Sequence, residues 1–274
     1  MGRQISHHSP LVLLLVTIAL LIFEITVVPN ASQHGLANTQ QSLGEDAITF
    51  CPDTRVITHG SGNINRIALT FDADMTFGMD RDLHIGAVKS YINRDLINTL
   101  INTNTKSTLF LTGLWIRDYL QETKSLAQNP LFELANHSFS HPSFSGYCYG
   151  LPQLGILTMK EEILETQALL KSITGVDNTY FRFPGGCISS EAMDFLSSQG
   201  IQVVHWDTVG EDGFNDSTQS IIRNVVDNVH NGSIIVLHMN GYPNDPKTSE
   251  ALPTIISQLK ARGYEFVTVS ELLN

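Results

Sequence analysis

Two imidazoles stand four residues apart in Asn136-His137-Ser138-Phe139-Ser140-His141-Pro142. They follow the apolar run Leu131-Phe132-Glu133-Leu134-Ala135. One helical turn brings residues i and i+4 to one face, so a single turn at the mouth of a strand would aim both rings at one ion. Neutral imidazole is the commonest ligand of zinc-like metals. The chain has ten histidines, so the pair is weak by itself and its company decides. Asp72-Ala73-Asp74 closes a second apolar run that begins at Arg66. One carboxylate there can bind a metal while the other, kept ionised by the cation, accepts a proton; the plainer reading is a loop-capping pair. Arg182-Phe183-Pro184-Gly185-Gly186 offers a guanidinium that can fix a carboxylate and a turn whose backbone N–H groups can approach a ligand; alternatively it is a strand-exit turn with a surface Arg. Asp207 and Asp212 can orient a histidine or simply be solvated. His238 ends Ile234-Ile235-Val236-Leu237-His238 as a satisfied core ring or a site ring. Taken together, acids, histidines and an Arg at five strand ends are what a metal hydrolase needs, since two His and one carboxylate leave coordination positions open.

The elements that must position these residues alternate. Strands are predicted at Arg66–Asp72, Lys106–Leu111, the run before His137, Thr179–Phe183, Ile201–Trp206, Ser233–His238 and Phe266–Val269. Helices are predicted at Tyr91–Asn102, Trp115–Leu126, Thr158–Ile173, Ser190–Gln199, Thr218–Val229 and Ser249–Arg262. Thr158 with Glu161 three residues on reads as a capping box. Residues 73–90 read as a long loop. No hairpin signal interrupts the series, so a parallel sheet with crossover helices is expected, with the site at the C-terminal strand ends. About seven such units predict an α/β fold: a distorted, incomplete (β/α)7 TIM-like barrel of mostly parallel strands.

The 274 residues carry a net charge of −11 and 42% hydrophobic residues. That composition supports one large core and argues against a nucleic-acid partner, which requires a positive footprint. Cys51, Cys148 and Cys187 show no CxxC spacing; they allow one bridge and one free thiol, or three ordinary thiols, and the pair is not readable. Arg3 precedes an apolar run from Leu11 to Phe23 that fits a signal peptide or membrane anchor over residues 1–29, with Gly35-Leu36-Ala37 as a cleavage candidate. Residues 30–60 are expected to be linker and N-terminal extension, and 61–274 the domain. An extracytoplasmic location follows, secreted, periplasmic or tethered, with membrane contact only through an uncleaved N-terminal segment.

The motifs also resemble a known family, from about Arg66 to the C-terminus. Thr70-Phe71-Asp72-Ala73-Asp74, His137-Ser138-Phe139-Ser140-His141, Arg182 to Gly186, Asp212 and His238 fall in the order found in polysaccharide deacetylases of the NodB type, carbohydrate esterase family 4. The resemblance implies that His137, His141 and a motif-one carboxylate bind one divalent metal, most often zinc, sometimes cobalt or nickel. It implies Asp72 as general base for the water, oriented by Arg182. The metal and the Gly185 N–H would hold the oxyanion, and His238 would protonate the leaving amine, kept charged by Asp212. The expected substrate is an acetylated polysaccharide: peptidoglycan, chitin or poly-N-acetylglucosamine.

Two departures stand out. Ala73 occupies the usual metal-Asp position, so the ligand role passes to Asp74 as an expectation. Gly213 replaces a usual Trp, so the aromatic wall is absent or supplied by Phe214. These departures leave two alternatives: an O-acetyl xylan esterase on the same site, or an inactive carbohydrate-binding relative. Asn136-His137-Ser138 is also a glycosylation sequon, which the reading requires to be unmodified.

Overall fold

A computed structural model describes residues 56–155, 157–215, 217–241 and 247–274. The N-terminal segment expected as signal or anchor, the cleavage candidate and Cys51 lie outside the described residues.

The sheet is organised around β2 (Arg66–Ala73), whose residues from Ile67 onward are all buried. An apolar, β-branched run flanked by other strands has no solvent face to alternate with, hence its near-continuous hydrophobicity. Burying one such side chain, Phe71, is worth about 1.5–3 kcal/mol. β2 pairs in parallel with β3 (Ser107–Leu111) and with β8 (Ile234–His238). β9 (Glu265–Val267) pairs with the first half of β2. Beyond β3 come β4 (Phe132–Asn136), β5 (Tyr180–Phe181), β6 (Gln202–Val204) and β1 (Val56–Ile57); beyond β8 comes β7 (Thr208–Val209). Every ladder is parallel, and the order β1-β6-β5-β4-β3-β2-β8-β7 forms an incomplete barrel. β1 lies inside the stretch expected to be linker and N-terminal extension, where it pairs with β6.

Helices α2 (Arg94–Asn102), α5 (Met159–Thr174), α6 (Ser190–Ser198), α7 (Thr218–Val226) and α8 (Thr248–Ala261) match the apolar periodicities. The capping box forms: Thr158 Oγ1 accepts from the Glu161 N–H, and the Glu161 carboxylate accepts from the Thr158 N–H. Three expectations need correction. The loop expected over 73–90 contains α1 (Phe77–His84), capped by Thr76 and without a fully buried residue, so its apolar stripe is too weak to register. The single helix expected over Trp115–Leu126 is two, α3 (Gly113–Asp118) and α4 (Leu120–Ala127), broken where Tyr119 adopts φ −117° and ψ 44°. A short C-terminal helix, α9 (Val269–Leu273), takes over the end of the last predicted strand through its own Thr268–Glu271 capping box.

Candidate active site

The residues singled out for chemistry converge at the C-terminal ends of the parallel strands. Register does most of the positioning. Asp72 pairs with His238 of β8 on one side and Phe110 of β3 on the other, and Leu111 pairs with Asn136, the residue before His137. Asn136 in turn pairs with Phe181, the residue before Arg182.

The His137–His141 segment is not the helical turn expected from its spacing. Ser138 (φ 67°) and His141 (φ 57°) are left-handed, and the segment is an irregular loop. Its shape is imposed from α5: the Glu162 carboxylate accepts from the Phe139 and Ser140 N–H groups at 2.8 and 2.7 Å and from the Ser140 hydroxyl. Such charge-assisted bonds hold the loop in a conformation its own sequence does not favour. Burial pushes the Glu162 carboxyl above its ordinary range despite these donors. Asn136 is wholly buried, donating to Ile163 O and Gln167 Oε1, so the sequon is sealed in the folded protein.

His137 Nδ1 lies 2.9 Å from the Arg182 carbonyl, which can only accept, so Nδ1 carries the proton and the Nε2 lone pair points away. That Nε2 is 3.3 Å from Asp74 Oδ1, and His141 Nε2 is 3.2 Å from the same oxygen. Asp74 Oδ1 is buried and accepts no hydrogen bond. A ring lone pair facing a carboxylate lone pair is repulsive unless a cation or a proton lies between them. Asp74, His137 and His141 therefore form a set that can hold a metal ion, with donor types that suit a zinc-like divalent cation. Where protons rather than a cation fill that gap, burial still pushes the Asp74 carboxyl up, but the imidazoles of His141, His137 and His238 outweigh it and hold it well below the usual carboxylate range. Ala73 is buried in the sheet, and the next residue faces the rings because successive strand side chains alternate. Asn240, passed over in the sequence, locks Asp74 from both ends: its Oδ1 accepts from the Asp74 N–H at 3.1 Å and its Nδ2 donates to the Asp74 carbonyl at 2.6 Å.

Asp72 and Arg182 form a buried pair, with Nη1 donating to Asp72 Oδ1 at 2.7 Å and to Thr70 Oγ1 at 2.8 Å. Nε and Nη2 reach the carbonyls of Val204 and His205, and the guanidinium lies 3.9 Å from the centre of the Phe110 ring. Arg182 is thus no surface residue. With Oδ1 so engaged, Asp72 Oδ2 remains turned toward His137 Nε2, 3.7 Å away.

His238 and Asp212 form the opposite wall. The Asp212 carboxylate accepts from His238 Nδ1 at 2.8 Å, from the His238 N–H at 2.7 Å and from the Thr248 hydroxyl at 2.6 Å. Burial works against the charged ring, yet Asp212, with Asp74 and Asp72 behind it, raises its pKa to about 10. His238 Nε2 faces Asp74 Oδ2 at 3.8 Å. Asp207 does not join the site: it accepts from the Ile234 N–H and lies 3.2 Å from His230.

A profile of the polysaccharide deacetylase family matches residues 59–204. The chain belongs to that family. Among relatives of this deacetylase-family chain, YlxY of Bacillus subtilis (strain 168) is 31% identical over 170 residues, covering 62% of this chain and 49% of YlxY. A peptidoglycan-N-acetylglucosamine deacetylase of Bacillus cereus is 27% identical over 213 residues, covering 78% of this chain and 70% of the relative. The chain therefore spans about half the length of the first of these relatives. In fold it resembles a peptidoglycan N-acetylglucosamine deacetylase in complex with a naphthalenyl N-oxidanyl-benzamide, with TM-score 0.67 and 24% identity over 80% of this chain and 92% of that one. It also resembles a CE4 family pseudoenzyme from Bacillus anthracis, with TM-score 0.63 and 22% identity over 80% and 69%.

The remaining expected residues form a rim. Gly185 (φ 61°) sits in a 3-10 turn over Pro184–Gly186; a Cβ there would stand 2.7 Å from Cys148 Sγ. Cys148 and Cys187 are disulfide-bonded, which ties this turn to the loop carrying Tyr149. Gly213 lies against His238, where a Cβ would be 3.1 Å from Cε1. Phe214 is 79% exposed, and its ring sits 5.6 Å from that of Tyr149, so the two aromatics meet at the rim. His205, unremarked in the sequence, stacks on Trp206; burial and the Arg182 guanidinium push its imidazole down to about 4, so it is a neutral ring beside the Asp72–Arg182 pair.

Proposed function

We propose that this chain is a metal-dependent N-deacetylase acting on N-acetylhexosamine units of a polysaccharide, with the N-acetylglucosamine of peptidoglycan as the favoured substrate. One relation carries the reading: an acid–base pair, Asp72 and His238, flanks the Asp74–His137–His141 set. The substrate class is supported by the names of the Bacillus cereus and Listeria monocytogenes relatives.

Asp74, His137 and His141 would hold the cation. When bound, a zinc-class ion lowers the pKa of a water from 15.7 toward about 7 and polarises the acetyl oxygen. The protein's own groups account for the proton traffic. Asp72, fixed by Arg182 through Oδ1, accepts the proton of the attacking water on Oδ2. The water oxygen bonds to the acetyl carbon, and the Gly185 turn offers an N–H to the acetyl oxygen. His238 delivers its Nε2 proton to the sugar nitrogen as the C–N bond breaks, releasing acetate and a free amine. An amide needs this acid because an unprotonated amine leaves poorly, and an imidazolium backed by Asp212 is the group that fits. Return of the proton from Asp72 to His238 closes the cycle. General acid–base participation of this kind contributes roughly 10²–10⁴ in rate. Tyr149 and Phe214 present exposed faces on which a sugar ring can stack.

The Cys148–Cys187 bridge and the apolar Leu11–Phe23 run support an extracytoplasmic location for the working enzyme.

The test is acetate release from N-acetylglucosamine oligomers and peptidoglycan glycan strands, with and without chelator. Release that chelation abolishes and zinc, cobalt or nickel restores is the expected result. Release from acetylated xylan alone would replace this reading with the O-acetyl esterase. Glycan binding without release under any metal would replace it with an inactive carbohydrate-binding protein.

A further inference from the structure

A second group of metal-type ligands lies outside the site just described. Asp80 and His84 stand at i and i+4 on α1, and Asp118 ends α3. Their donor atoms lie within 4.8 Å of one another. His84 Nδ1 is 2.8 Å from the Asp80 carbonyl and 3.3 Å from Asp80 Oδ1, so this nitrogen carries a proton and Nε2 is the ring atom left to meet a cation, the same ring orientation as in His137. His84 Nε2 is 3.9 Å from Asp118 Oδ1. The Asp118 side chain is only 5% exposed, and its second oxygen, Oδ2, is buried without a hydrogen-bond partner among the described residues. An unmet buried carboxylate oxygen is costly, and a cation is one way to satisfy it.

The charge count agrees. Arg117 forms an ion pair with Asp80, and its Nε lies 3.4 Å from Asp118 Oδ1. One guanidinium stands against two carboxylates, with the His84 ring between them. Burial pushes the Asp118 carboxyl up, Arg117 opposes that, and the neighbouring Asp80 adds to it. Two close carboxylates, one of them with a buried unmet oxygen, favour a divalent cation, and two oxygens plus one imidazole nitrogen suit a borderline transition metal better than calcium.

We infer that Asp80, His84 and Asp118 form a second divalent-cation site of the zinc class, a clip that fastens α1 to α3. What it would fasten is informative. α1 begins three residues after Asp74 and has no fully buried residue of its own. Phe77, its first residue, lies 6.4 Å ring to ring from Phe139, which sits between His137 and His141. A cation at the clip therefore holds the segment leading out of the candidate active site, and the clip is structural rather than catalytic.

The experiment uses the full chain, freed of metal by chelation and then dialysed against zinc. His137→Ala/His141→Ala removes the first site without touching the second. This double variant is expected to retain one zinc per chain and to melt at higher temperature with zinc than without. Adding His84→Ala is expected to abolish both the retained zinc and the thermal shift. His84 is 61% exposed on its side chain, so its removal does not threaten folding. Adding Asp118→Asn instead should give the same loss where that protein folds. A double variant that holds no zinc, or whose zinc and thermal shift persist after His84→Ala, overturns the clip. Neither result bears on the deacetylase reading, which the acetate assay tests separately.

Discussion

The Asp212 carboxylate grips His238 twice, accepting from the ring Nδ1 on one oxygen and from the residue's own backbone N–H on the other. This double hold fixes both the ring's tautomer and its position on β8, and it leaves Nε2 as the atom that meets the site. An imidazole so placed remains charged across the neutral range.

Asp212→Asn tests that relation directly. The ring's folded pKa of about 10 lies above its ordinary 6.5. Its contribution to stability is therefore fully present below pH 6.5 and is lost as pH rises through about 10. In the metal-free Asn variant the His238 titration, followed by NMR, is expected to fall toward the ordinary value, and that stability between pH 6.5 and 10 should shrink. Turnover at neutral pH is expected to drop roughly 10²-fold or more. A His238 titration unchanged by the substitution would show that Asp212 does not set its charge.

Asp72 and Asp74 stand two residues apart but face different partners, so their variants should separate. Asp74→Ala is expected to hold one zinc fewer per chain than the parent, because the carboxylate oxygen shared by His137 and His141 disappears. Asp72→Asn is expected to keep zinc and lose roughly 10²–10⁴ in turnover. Metal analysis beside acetate release reads both. Full metal content in Asp74→Ala would return the ligand role to Asp72.

The Cys148–Cys187 bridge closes a separation of 39 residues and touches the Gly185 turn. Cys148→Ser/Cys187→Ser is expected to cost about 2–4 kcal/mol of stability, since the cross-link restricts the unfolded chain. Thermal melts with and without reductant, compared between variant and parent, check it. Turnover should also fall, because the Gly185 turn loses its tether. A variant as stable and as active as the parent would show that the bridge serves neither purpose.

Much of this architecture can be read from local pattern. The run Arg66–Asp72 is buried and apolar because it becomes a central strand, and the Thr158–Glu161 capping box forms because its two bonds are local. α1 was invisible because its contacts are few, and the His137–His141 loop because Glu162, 21 residues beyond His141 in the sequence, shapes it. The partners Asn240, Thr248 and Glu162 carry no local signature: each acts on a residue distant in the chain.

The order of strand-end residues, Asp72, Asp74, His137, His141, Arg182, Asp212 and His238, is a property of the chain itself, and it established the family and the chemistry those side chains permit. Which Asp meets the two imidazoles, which cysteines join, that Arg182 is buried against Asp72 and that Asp207 turns away to His230 were decided only by folding. The reason is physical. Side-chain type and spacing are local quantities, whereas distances across parallel strands depend on register, and register is settled by the packing of the whole sheet.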